Sequence, residues 1–73
     1  MLSDGIVGST YLVSSMHLPE KLQKRLEALG MTVGTPVSVL NRKGKGILIV
    51  KFRGTRFALG TSISRNIEVS VCQ

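Results

Sequence analysis

The chain has 73 residues, 42% of them hydrophobic, and ten Lys and Arg against four Asp and Glu give it a net charge of +6. A chain this short buries roughly 60–65% of its unfolded surface and makes one domain, residues 1–73, with no room for a second domain around a deep cleft. Its longest aliphatic run, Ile47-Leu48-Ile49-Val50, falls far short of the about 20 residues that a membrane-spanning helix needs.

Met1-Leu2-Ser3-Asp4-Gly5 has neither a basic stretch nor an apolar block. No signal peptide is expected, and the expected location is the cytoplasm. Residues 6–13 are rich in β-branched and aromatic types and read as a strand. Residues 18–29 change period: Leu18, Leu22, Leu26 and Leu29 form one helical stripe. Pro19 suits the first turn and Gly30 the left-handed position past the end. Lys21, Lys24 and Arg25 flank one side of the stripe, and Glu20 stands four residues before Lys24 as a favourable pair.

After Gly30 the period returns to two. Val37 and Val39 alternate with Pro36 and Ser38, and Asn41 to Gly46 reads as a basic turn. Ile47 to Phe52 alternates little, which predicts a strand covered on both faces. Arg53 to Arg56 turns the chain into Phe57-Ala58-Leu59, Thr61 to Asn66 reads as a short helical turn, and Ile67 to Val71 closes as an alternating strand. Five short strands in so small a chain leave long bare edges if laid flat. The expected fold is therefore mainly β: a small SH3-like barrel of about five strands, with one helix after the first strand covering an open end.

Little in the chain points to catalysis. The acids Asp4, Glu20, Glu27 and Glu68 are scattered, and Gly44-Lys45-Gly46 sits between strands rather than before a helix, so neither paired-carboxylate chemistry nor a phosphate loop is expected. Lone His17 and lone Cys72 make no metal ligand set. Met1, Met16 and Met31 read as core filler or initiator, not as soft ligands. No cofactor and no metal site are expected. Arg42, Lys43, Lys45, Lys51, Arg53 and Arg56 flank one hairpin as a single basic patch that suits an anionic partner. Base stacking needs exposed aromatics, and Tyr11, Phe52 and Phe57 are the whole aromatic set.

Three segments taken together resemble the FeoA family, small proteins of ferrous iron transport. They are Leu22 to Gly34, with its helix followed by Leu29-Gly30-Met31; the strand Val37-Ser38-Val39; and Arg53-Gly54-Thr55-Arg56-Phe57-Ala58-Leu59-Gly60 running on to Ile67-Glu68-Val69. Val33 stands where the family usually has Pro before the Gly aligned with Gly34, and the hairpin Arg42 to Gly46 is shorter and more basic than the family's. The resemblance implies an SH3-like barrel without enzymatic activity. It implies a cytoplasmic accessory role beside FeoB, the membrane iron permease with a cytoplasmic GTP-binding domain, reached at the inner face of the membrane through that partner. On this reading Lys21, Lys24, Arg25, Arg53 and Arg56 are the expected partner contacts. Leu22, Leu26 and Leu29 are the expected helix contribution to the core, and no stable nucleic acid complex is expected. The competing readings are a small basic RNA-binding barrel, and a direct iron carrier that depends on His17.

Overall fold

The computed structural model describes residues 1–71; Cys72, expected to be an ordinary near-terminal thiol, lies outside them. A 3-10 turn at Leu2–Asp4 leads into β1 (Thr10–Met16), α1 (Glu20–Leu29), β2 (Pro36–Lys43), β3 (Ile47–Phe52), β4 (Thr55–Leu59), α2 (Thr61–Ser64) and β5 (Ile67–Val71). The five strands form one antiparallel sheet in the order β4-β3-β2-β1-β5. The barrel-like domain expected from the strand count is therefore an unclosed sheet, with β4 and β5 at its edges. Its register slips by one residue at Ser14 in β1 and at Leu40 in β2, and such slips bend and twist a sheet. The concave side holds the core: Val13 and Met16, Val37 and Val39, Leu48, Val50 and Phe52, Leu59, and Ile67.

Several boundaries differ from the sequence reading, each for a physical reason. The first strand starts at Thr10, not residue 6. Gly8 has φ +94°, its N–H donates to Val39 O at 2.8 Å, and Ser9 N–H donates back to Ile6 O at 3.0 Å. These bonds hold β-prone Ile6 and Val7 in an exposed turn, so tertiary pairing overrides local propensity. The strand instead runs on to Met16 because β5 supplies partners for Ser15 and Met16. At the basic hairpin, pairing of Arg42 with Leu48 and Lys43 with Ile47 carries β2 past Asn41 and shrinks the turn to Gly44–Gly46. β3 is covered on one face only. Leu48, Val50 and Phe52 point in, while Ile47 and Lys51 are exposed and Ile49 is half-buried.

The helix departs most from expectation. Of the leucine stripe only Leu26 is buried; Leu18 and Leu22 are half-buried and Leu29 is 49% exposed. Pro19 caps the helix from outside, and the first helical residue is Glu20. The C-terminus is a Schellman motif: Gly30, at φ +109°, donates to Glu27 O, and Met31 N–H reaches Leu26 O, both at 3.0 Å. That turn sends Met31 into the core, where it is fully buried. The core is completed instead by Met31 from the loop and by Leu2, which the 3-10 turn buries completely beside β5 and α2.

Two arginines tie this frame at the two ends of β3. Near its start, Arg42 donates through Nη2 to Ser3 O at 2.8 Å and to Gly5 O, pinning the segment that carries Leu2. Just past its end, Arg53 Nε donates to Gly30 O at 2.9 Å. Arg53 has φ +51° and Gly54 φ +76° in the two-residue turn between Phe52 and Thr55, the geometry that matches the twist of a tight hairpin.

Leu26→Ala is expected to cost about 2–5 kcal/mol, enough to unfold much of so small a domain. Leu29→Ala should stay within about 0.5 kcal/mol. Urea unfolding of the two variants checks the difference. A Cβ at Gly30 would collide with Arg53 Cδ as well as strain the backbone, by about 1–2 kcal/mol for the left-handed conformation alone. Gly30→Ala should therefore cost measurably less in an Arg53→Ala background, a non-additivity of about 0.5 kcal/mol or more.

Candidate interaction surface

No acidic residue stands between Glu27 and Glu68, while Arg42, Lys43, Lys45, Lys51, Arg53, Arg56 and Arg65 all lie in that stretch. The fold keeps this separation in space. Glu20 pairs with Lys24 at 3.0 Å, Glu27 accepts from Gln23 at 3.5 Å, Glu68 meets His17 Nε2 at 2.7 Å, and Asp4 lies 3.6 Å from the terminal amine. The convex side of β2, β3 and β4 thus carries cations with no carboxylate paired to them among the described residues.

The row across this side follows from the strand register. Ser38 stands opposite Lys51, and Lys51 opposite Arg56; Asn41 stands opposite Ile49, and Ile49 opposite Ala58. Side chains directly opposite in an antiparallel pair share a face. Lys51 and Arg56 are therefore neighbours of like charge, both exposed. Beside them is a concavity of about 480 Å³ lined by Leu40, Asn41, Lys43, Ile49 and Arg56. A second groove of about 600 Å³ runs between the Thr32–Pro36 loop and the β3–β4 turn, with Lys51, Phe52 and Arg53 on one wall. Its loop is internally bonded: Thr35 Oγ1 donates to Gly30 O at 3.2 Å and accepts from Thr32 N–H at 3.0 Å.

The cations expected to contact a partner are divided. Lys21 and Arg25 are exposed on α1, and Lys24 is engaged with Glu20. Arg53 is bound to the end of α1, and Arg56 is on the convex sheet face. The basic hairpin is likewise split. Arg42 is turned away to the N-terminal carbonyls, which leaves Lys43, Lys51 and Arg56 on the convex side. Leu40, Asn41 and Ile49 were not singled out in the sequence. The only trace of the concavity there is the failure of strict alternation after Val39, where Leu40 is inserted. Phe52 is buried and Phe57 half-buried in a stack with centroids 4.3 Å apart. Tyr11 is half-buried, and its hydroxyl accepts from Ile6 N–H. None of the three is a fully exposed ring. Among the described residues, no cluster of three or more His, Cys, Asp or Glu stands ready for a metal ion, and no helix is long and apolar enough to cross a membrane.

The facing cations make a direct prediction. Lys51→Gln should stabilise the isolated domain by about 0.2–1 kcal/mol at low ionic strength, and added salt should shrink the gain. Chemical unfolding at two salt concentrations checks it.

The comparisons with known proteins agree with this architecture. In the iron uptake regulatory protein FeoA, known from a crystal structure, 26% of residues are identical; the match covers 94% of this chain and 90% of that one, with a TM-score of 0.80. The Stenotrophomonas maltophilia FeoA, solved with zinc and described as a prokaryotic SH3-domain protein, is 27% identical over 94% of this chain and 87% of its own, also with a TM-score of 0.80. The Chlorobium tepidum FeoA protein shares the fold at 23% identity, with a TM-score of 0.91 over 99% of this chain and 70% of that one. No curated protein matches in sequence. The model of the FeoA domain matches residues 1–71. With the bent five-strand sheet, the helix after β1 and a match over that length, the chain belongs to the FeoA-domain family, whose proteins are associated with ferrous iron transport.

Proposed function

We propose that the protein is a cytoplasmic accessory factor of ferrous iron uptake, which docks on a FeoB-like permease and supports or regulates it without chemistry of its own. The observation that carries this reading is the FeoA-domain match over residues 1–71. A structural relative described as a candidate activating factor for bacterial ferrous iron transport supports it. The physical character of the molecule fits such a role. A rigid sheet presents a surface, and its uncompensated cations draw it toward an acidic partner beside an anionic leaflet. Lys21, Lys24, Arg25, Arg53 and Arg56 are the proposed contacts. Arg53 also holds the β3–β4 turn against α1 through its Nε, which leaves the rest of its exposed guanidinium to the partner.

The test is capture of the tagged full chain from detergent-solubilised membranes of its own host, with the eluate assayed for protein and nucleic acid. The expected result is a large GTP-binding permease retained at moderate salt. Nucleic acid without a membrane protein would overturn the proposal in favour of an RNA-binding barrel. That complex would also dissociate steeply between about 50 and 200 mM salt through counterion release. A direct iron carrier predicts stoichiometric Fe²⁺ binding lost in His17→Ala; on the proposed reading, His17→Ala leaves iron-dependent growth unchanged.

A further inference from the structure

We infer that the convex face of β2–β3–β4 is the docking site for an acidic protein segment that carries an aliphatic side chain between its carboxylates. The inference deepens the proposed function and rests on it for the identity of the partner, but not for the chemistry of the site.

Three observations converge. The first is charge. Lys43 and Arg56 line the concavity, Lys51 faces Arg56 across the strands, and no carboxylate is paired to any of them among the described residues. Like charges set directly opposite are unfavourable in the free protein, and an anion placed over them removes that repulsion. The second is the floor. Between the cations the mixed lining includes two aliphatic side chains, half-buried Leu40 and Ile49. The inserted residue at Leu40 opens this hollow, because the register slips there and the strand bends. A phosphate backbone needs cations and has no use for a hydrophobic seat. An acidic peptide with a Leu, Ile or Val fills the seat and meets both cations. The third is the aromatics. Phe52 and Phe57 stack on each other on the opposite side of the strands, which leaves this face without the platforms that hold single-stranded bases. Asn41 completes the rim. Its Oδ1 accepts from Arg42 N–H at 2.8 Å, so its amide nitrogen is left to donate to an incoming carbonyl.

The face needs no change in backbone to receive such a segment. Each of its residues lies on a paired strand, and the tether from Arg42 to the N-terminal segment lies on the other side.

The experiment uses the full chain, labelled with ¹⁵N and titrated with a synthetic peptide in which paired carboxylates flank one leucine. The same peptide with serine in place of leucine is the comparison. Amide shifts confined to Leu40, Asn41, Lys43, Ile49, Lys51 and Arg56, with affinity several-fold weaker for the serine peptide, are expected. Lys43→Glu with Arg56→Glu should weaken binding by about tenfold or more, as loss and reversal of facing charges does. Its amide spectrum should otherwise match the parent, which shows that the fold is intact. No response up to millimolar peptide overturns the inference, and so do equal responses to the two peptides or shifts that map to α1. Tighter binding of this face to a single-stranded oligonucleotide, or to phosphatidylserine vesicles, than to the leucine peptide overturns it as well. Permease capture by the double variant separates the two proposals. Capture undiminished by Lys43→Glu with Arg56→Glu sinks the site and leaves the accessory role standing. Peptide binding at this face by a parent chain that captures no permease does the reverse.

Discussion

The backbone at Gly30 is the constraint on which the rest of the molecule depends. Its left-handed conformation ends α1, and its N–H joins Met31 in satisfying the last helical carbonyls. Its own carbonyl accepts from both Thr35 Oγ1 and Arg53 Nε. One peptide unit therefore fixes the exit of the helix, the loop into β2 and the turn between β3 and β4. Glycine suits it best. A side chain would strain the backbone and collide with Arg53. The burial of Met31 follows from the same turn, because the chain can reach the core there only after reversing at Gly30.

The fold class was legible because it rests on period and punctuation, which are local. Val37 and Val39, Ile67 and Val69, and the Gly30 stop reported themselves directly, and β3, β4 and β5 fell close to where they were expected. What was hidden depends on contacts distant in the chain. Ile6 and Val7 look like strand residues, but a bond from Gly8 to Val39 holds them in a turn. Leu29 continues a helical stripe but ends the helix half exposed, because the chain turns at Gly30 and sends Met31 into the core. Leu2 sits beside the terminus with no periodic neighbours to announce it, and its segment is held by burial against β5 and α2 and by Arg42, far along the chain. The same limit applies to the surface. Charge named Arg53 and Arg56 together, yet one is spent on a carbonyl and the other is free on the sheet. The hollow at Leu40 and Ile49 arises from a slipped register that no composition reveals.

Formal charge thus overstates how many cations are free to move toward a partner. Arg42 and Arg53 keep their charge but are held in place by backbone oxygens, and Lys24 is paired with Glu20. The acids are gathered on the helix, on β5 and at the N-terminal turn, so the net excess is directional rather than spread. A small basic domain with evenly mixed charge would be soluble and little more. This distribution gives the molecule an orientation in an electric field, which steers encounter before any contact forms.

The order of strands in the sheet also has a kinetic consequence. β2, β3 and β4 are joined by short turns and pair as a meander, whereas β1 must find β5 from the far end of the chain, Met16 against Ile67. Local pairings form without a large loop-closure cost, and distant ones wait for it. The three-stranded meander that carries the cationic face is therefore the part favoured to form first, with the seam between β1 and β5 closing later. Damage to the seam should loosen one edge of the molecule before it reaches the convex side.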